Sequence, residues 1–182
     1  YRERKGGAMI STANGIKGRT DEYDLSYSSA KELFEACREA RLRWFSTRER
    51  VNAYKLTEGA KTQKFNESVS SSKDPDVMRN VDVRIVLEED EGRAADAYDR
   101  LKLTCEYVLY GKNGNSGLAS LVGEDAANII KFHYIHGMTY EQVSAILCMS
   151  ITSVFKYARI ANETCDAYGL QRVAEGKGIA NA

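Results

Sequence analysis

Residues 139–159 read TYEQVSAILCMSITSVFKYAR, and they hold the strongest local signals in the chain. Thr139 precedes an amphipathic segment, and Gln142, three residues later, completes the pattern of a helix-capping box. Ser150 stands in the same position before a second amphipathic segment, and a turn at Cys148 separates the two. Two helices that each begin at a hydroxyl cap and are joined by a tight turn are typical of a helix-turn-helix motif.

The apolar residues around this stretch are spaced as the inner faces of three packed helices. The first helix is predicted to begin near Glu124 and to end at Gly137. The residues expected to be buried are Ala127, Ile130, Tyr134 and either Phe132 or Ile135 in the first helix, Val143, Ile146 and Leu147 in the second, and Val154, Tyr157 and Ala161 in the third.

This segment resembles the fourth conserved region of bacterial sigma factors. The matching positions are Tyr134, Gly137, Thr139, Glu141, Gln142, Val143, Leu147, Ser150 and Val154. The chain departs from the family at Ser144, where alanine is usual, and at Cys148, where glycine is usual. The start of the third helix also lacks the charged residues with which sigma factors read promoters, so their promoter specificity does not carry over.

The N-terminal half predicts two long helices. In the first, side chains recur at alternating spacings of three and four, at Ala30, Leu33, Cys37, Ala40, Trp44, Thr47, Val51 and Tyr54. In the second, the clearest stripe is Leu87 and, seven residues later, Ala94, followed at spacings of four and three by Tyr98, Leu101, Cys105 and Val108. A serine-rich stretch separates the two stripes, and Asp74 and Pro75 fit the cap and first position of the second helix. Such a hairpin has little core of its own, so it packs on the C-terminal part or on a second copy in a homodimer.

The predicted class is therefore all-α, with a long helical hairpin followed by a C-terminal helix-turn-helix domain. Phage regulators of the RinA and ArpU type resemble this whole layout. The expected organisation is a flexible arm over residues 1–26, the hairpin over 27–110, a glycine-rich connector over 111–123, the helix-turn-helix domain over 124–170 and a flexible tail over 171–182.

The charges are balanced overall but unevenly placed, with 26 basic and 26 acidic residues. Residues 1–64 carry an excess of five positive charges and residues 65–110 an excess of five negative charges. These segments either pair internally or present a basic face to nucleic acid. The chain holds no membrane-length apolar run and no secretory leader pattern, so we expect a bacterial cytoplasmic protein with four reduced cysteines.

The start of the chain predicts a bacterial or bacteriophage gene. Lys5 followed by two glycines can be encoded by a purine run like a ribosome-binding site, a few nucleotides before the codon of Met9. We expect translation to begin naturally at Met9.

The residues predicted to contact double-stranded DNA lie at the starts of the second and third helices. Backbone amides at the start of the second helix are expected to hold a phosphate. Side chains of the third helix are expected to contact base edges and phosphates. These residues are Thr139, Tyr140, Ser150, Ile151, Thr152, Ser153, Phe155, Lys156 and Arg159.

No catalytic constellation, metal site or cofactor is predicted. His133, His136, Cys148 and Cys165 lack the two close ligand pairs of a structural zinc site. The resemblance implies a transcriptional regulator of late phage or prophage genes that also contacts bacterial RNA polymerase. Two alternatives stay open: a small terminase-like subunit that recognises DNA for packaging, and a helical adaptor that binds only protein.

Overall fold

The computed structural model describes residues 23–64, 75–114 and 116–177, and only the backbone of residues 58–64 and 75–81. The described residues form helices without a strand, so the protein is all-α as predicted. The helices are α1 (Ala30–Lys64), α2 (Pro75–Tyr110), α3 (Leu118–Val122), α4 (Glu124–Ile130), α5 (Tyr140–Ile146), α6 (Ile151–Tyr168) and α7 (Leu170–Ala174), and a π-helical turn (Lys131–Ile135) continues α4.

Helices α1 and α2 lie antiparallel along each other. Trp44 stacks on Tyr98 with 5.5 Å between ring centroids, and farther along the pair Lys55 Nζ lies 2.9 Å from Glu88 Oε1. Residue numbers thus rise on one helix as they fall on the other. The predicted stripes face inward, with these members fully or almost fully buried: Ala30, Leu33, Cys37, Val51, Tyr98, Cys105 and Val108.

The C-terminal helices pack on one half of this pair and share its core. The Ala30 amide donates a hydrogen bond to Asp166 Oδ1 at 2.7 Å, and the Tyr98 hydroxyl donates to the Ile135 carbonyl at 3.0 Å. The continuous buried cluster contains residues from every helix, but it extends no farther along the pair than Trp44 and Tyr98. The hairpin and the C-terminal helices are therefore one packed body, although the sequence predicts a connector between two domains.

Two predicted boundaries are wrong. The arm predicted to end at residue 26 is packed from Tyr23 onward, because the Tyr23 ring stacks on Tyr107 at 4.1 Å and Leu25 lies against the core. The tail predicted to begin at residue 171 contains most of α7, whose Val173 is fully buried. Burial of these apolar side chains offsets the conformational entropy that the short segments lose when they are ordered. Neither segment is long enough to show an apolar periodicity in its sequence. Met9, Asp74 and most of the serine-rich stretch lie outside the described residues.

The part of α1 and α2 beyond the shared core exposes several apolar side chains. They are Phe45, Leu56, Val83, Ile85 and Val86. Among the described residues, no single helix has both the length and the apolar character needed to cross a membrane. The α5–α6 pair reaches that threshold only when its two helices are counted together across a 106° bend.

Gly92 offers a test of how α2 is stabilised. It lies within the helix, and a Cβ added there would meet no atom within 4 Å. Because glycine disfavours helix by about 1 kcal/mol relative to alanine, Gly92→Ala should raise the free energy of unfolding by about that amount in urea titrations. Gly117→Ala is the matched control and should destabilise, since its φ is 79° and its Cβ would lie 2.7 Å from backbone atoms. Equal effects of the two changes would contradict this account.

Candidate nucleic-acid interface

The start of α5 is closed by the predicted capping box. The Gln142 amide donates to Thr139 Oγ1 at 3.3 Å, and the Thr139 amide donates to Gln142 Oε1 at 2.9 Å. The Glu141 carboxylate accepts a hydrogen bond from its own backbone amide and another from the Thr139 hydroxyl. These two bonds, the first more than the second, lower the pKa of Glu141. The Thr139 amide and hydroxyl are thus both engaged in the cap, which gives Thr139 a structural role; its contact with DNA stays a prediction.

The start of α6 is capped by Ser150. Its Oγ accepts the Ser153 amide at 3.1 Å and lies 2.8 Å from the Ser153 hydroxyl oxygen. Both serines were predicted to contact DNA, but much of their hydrogen-bonding capacity serves this cap. The cap sets where α6 begins and so which of its side chains come first.

The turn between α5 and α6 combines the two departures from the family pattern. Cys148 adopts a left-handed conformation with φ 51°, the geometry for which glycine is favoured. Ser144 donates its hydroxyl hydrogen to the Met149 carbonyl at 2.6 Å, and the Met149 amide donates to the Ser144 carbonyl at 3.0 Å. The Ser144 side chain thus stabilises the turn that contains the strained residue Cys148. The bend of 106° lies in the range of about 90–120° found in helix-turn-helix motifs.

Replacement of Cys148 by glycine should stabilise the protein. A left-handed non-glycine residue costs roughly 1–2 kcal/mol, so Cys148→Gly should raise the free energy of unfolding by about 1 kcal/mol after the entropy of the unfolded glycine is subtracted. Chemical denaturation checks this value. Cys148→Ala controls for loss of the exposed thiol and should leave stability nearly unchanged. A gain with alanine as large as that with glycine would assign the effect to the thiol and not to the backbone.

Helix α6 buries one face and exposes the opposite one. Val154, Ala158, Ala161 and Cys165 face the core. The predicted DNA-contact residues Thr152, Phe155, Lys156 and Arg159 are all exposed, at the i, i+3, i+4 and i+7 spacing that places side chains on one face. Ile151 is 37% exposed at the edge of this face. The structure therefore brings together four of the predicted residues as a continuous surface, which we call the α6 face.

The charges of the α6 face are accessible. Among the described residues no carboxylate lies within ion-pair distance of Lys156, whereas Arg159 Nε is 3.6 Å from Glu163 Oε1. The Arg159 and Glu163 side chains are 73% and 67% exposed, so their pair contributes little stability and a phosphate can displace it.

The burial pattern of α5 corrects one prediction. Val143 is fully buried and Leu147 packs against the core, but Ile146 is 51% exposed. The side chains of Tyr140, Val143 and Leu147 pack against the core, whereas the neighbouring Ile146 side chain does not belong to it. In the preceding helix, Ile135 rather than Phe132 is the fully buried residue.

A stack of aromatic rings lies beneath the α6 face. Tyr140 lies between His133, at 3.9 Å with nearly parallel planes, and Phe155, at 4.7 Å. His133 Nδ1 is 2.8 Å from the Met138 carbonyl and Nε2 is 3.4 Å from Arg38 Nη1. A neutral ring satisfies both contacts, with Nδ1 donating to the carbonyl and Nε2 accepting from the guanidinium. The stack therefore connects α1 to the α6 face.

The sequence did not reveal this stack because a π-helical turn positions it. The His136 amide donates to the Lys131 carbonyl, five residues back, at 3.0 Å. This extra residue per turn shifts the phase of the helix, so His133, Tyr134 and Ile135 are buried in succession. A search for 3.6-residue periodicity finds no signal for such a turn.

His133 predicts a loss of stability on mild acidification. Burial, with the Arg38 charge, lowers the pKa of His133 from its ordinary value of 6.5. The unfolded chain therefore binds a proton that the folded protein resists, and the free energy of unfolding should fall as the pH drops below about 6.5. Urea titrations at pH 7.5 and 5.5 should show this fall, and His133→Gln should reduce it. The pKa of the exposed His136 is also lowered. His136→Asn therefore measures the contribution of His136 to the pH dependence of the free energy of unfolding. An unchanged pH dependence in His133→Gln would contradict the assignment.

The comparisons with known proteins leave the site to be interpreted from its geometry. No protein-family model, curated protein or solved structure matches the chain. Within the described part of the chain, no three histidine, cysteine, aspartate or glutamate side chains are grouped so as to hold a metal ion.

Proposed function

We propose that the protein is a sequence-specific DNA-binding transcriptional regulator that inserts α6 into the major groove. The observation that carries the proposal is the α6 face: a capped helix of 18 residues, set at 106° to α5, that exposes Thr152, Phe155, Lys156 and Arg159 together. A helix of this kind fits the width of the major groove, and its N-terminal half meets the base edges.

Each side chain of the α6 face has a plausible partner in duplex DNA. The Thr152 hydroxyl can donate to or accept from a base edge, and the Phe155 ring can contact a thymine methyl group. Lys156 and Arg159 are suited to guanine or phosphate oxygens. The Phe155 ring contacts Tyr140 on one side and is 51% exposed, so it can also contact a partner.

The resemblance to sigma region four and to phage regulators of the RinA and ArpU type supports a role in late gene control. On that basis we propose bacterial RNA polymerase as a second partner and the cytoplasm of a bacterial host as the place of action. The exposed Ile146 and Ile151, on either side of the turn, are available for a protein contact of this kind.

Selection of sheared host and prophage DNA by the purified chain tests the proposed function. Enrichment of one sequence upstream of structural or lysis genes would support regulation. Enrichment beside packaging genes, together with a light-scattering mass of eight or more copies, would favour the terminase-like alternative. Retention without an enriched sequence at any salt concentration would contradict sequence-specific binding and favour the adaptor.

Lys156→Ala should weaken binding to the selected duplex without lowering the melting temperature. The ammonium group is exposed and unpaired among the described residues, so its loss removes a DNA contact but no folding interaction. We expect a cost of about 1–3 kcal/mol if it reads a base and a uniform loss across sequences if it binds a phosphate. Fluorescence anisotropy measures the affinity. Arg93→Ala, which removes an exposed cation paired with Asp90 on α2, is the matched control. Equal affinities of wild type and Lys156→Ala would show that the α6 face is not the interface.

A further inference from the structure

The α6 face alone carries too few cations for tight binding. Non-specific affinity for DNA comes mainly from phosphate neutralisation, and proteins that bind well make several such contacts. Lys156 and Arg159 supply two at most. Additional phosphate contacts must come from cations near α6 that are free of carboxylates.

Such cations converge at the junction of α1, α2 and the π-helical turn. Lys102 on α2, Lys131 on the π-helical turn and Arg41 on α1 all act electrostatically on the exposed His136, against the single carboxylate of Glu106. Partial burial lowers the pKa of His136 most, the charges of Lys131, Lys102 and Arg41 lower it further, and Glu106 opposes them. Contacts place the cluster as well, because Arg41 packs against Gly137, next to His136, and the His136 amide donates to the Lys131 carbonyl. We call Arg41, Lys102, Lys131 and His136 the junction cluster.

Aromatic rings, not carboxylates, hold the junction cations in place. The Arg41 guanidinium lies over the Phe45 ring at 4.5 Å, and Lys131 Nζ lies over the Tyr110 ring at 5.2 Å. Within the described residues, no carboxylate is in ion-pair distance of Arg41, Lys102 or Lys131. A cation held by a ring keeps its charge available to an anion, whereas an ion pair would first have to be broken.

The junction cluster is linked to the α6 face through the segment that precedes α5. The Arg41 guanidinium rests against Gly137, where a Cβ would overlap it, and Gly137 lies three residues before Tyr140. The Tyr140 ring in turn contacts the Phe155 ring of the α6 face, with the two planes tilted by 53°. Arg48, two turns along α1 and over the Trp44 ring at 5.8 Å, continues the line of ring-held cations away from the junction.

We propose that the junction cluster binds the phosphate backbone of the same duplex, beside the segment that α6 reads. This inference rests on the proposed function. Helix α1 then serves as a second DNA-binding element, and the excess of basic residues in the first 64 positions has a use beyond pairing with the acidic α2.

The test compares salt dependences of binding, using the full chain and a fluorescein-labelled duplex of about 25 base pairs centred on the selected site. The double variant Arg41→Ala with Lys131→Ala should reduce the slope of log K against log salt by about 1.8, since each phosphate contact contributes about 0.9. The loss of affinity should be equal for selected and scrambled duplexes. On a duplex of about 10 base pairs, one helical turn, variant and wild type should bind alike because the flanking phosphates are missing.

Two control variants make the result specific. Arg41→Lys with Lys131→Arg keeps both charges and should keep the slope. Arg93→Ala with Lys177→Ala removes two exposed cations that are paired with Asp90 and Glu175, and it should also keep the slope. Melting temperatures of all variants establish that each is folded.

The outcomes separate this inference from the proposed function. A wild-type slope in Arg41→Ala with Lys131→Ala, while Lys156→Ala weakens binding, overturns the inference and leaves the α6 face intact; the junction cluster would then face an acidic protein. A reduced slope in the double variant with no effect of Lys156→Ala supports the junction cluster and overturns the α6 face. Absence of DNA binding by the wild type at low salt overturns both.

Discussion

Two long antiparallel helices bury only one side of each, and this constraint organises the molecule. Where α1 and α2 are covered by the C-terminal helices, their side chains are fully enclosed, and the cluster runs without a break from Ala30 to Val173. Beyond Trp44 and Tyr98 no third layer of described residues covers the pair, and apolar side chains such as Leu56 and Val86 are exposed there. The C-terminal helices cover one half of the pair, and α6 packs mainly against α4 and to a smaller extent against α1.

A series of side-chain contacts also connects α1 to α6. His133 lies between the Met138 carbonyl and the Arg38 guanidinium. Its ring stacks on that of Tyr140, and the Tyr140 ring contacts that of Phe155. Because the histidine is neutral in this arrangement, it can be buried without the cost of an unpaired charge. The π-helical turn, an insertion that is usually unfavourable, is what places the ring there.

The same packing distributes charge. Arg41 and Arg48 on α1 lie over the rings of Phe45 and Trp44, whereas Glu88 on α2 pairs with Lys55 and Arg84. In a chain whose basic and acidic residues are equal in number, some cations therefore contact rings while others are paired with carboxylates.

The main helices, the caps of α5 and α6 and the turn between them could be predicted from the sequence. Apolar spacings of three and four, the Thr139 and Ser150 caps and the turn at Cys148 are local signals, and local energetics decide them. The all-α class follows from these signals alone. The tertiary structure decided the rest: which polar groups stay free after capping, the π-helical turn at Lys131, the folded ends at Tyr23 and α7, and the meeting of Arg41 with Gly137. These depend on contacts between residues far apart in the chain, and the spacing of residues within one segment carries no information about such contacts.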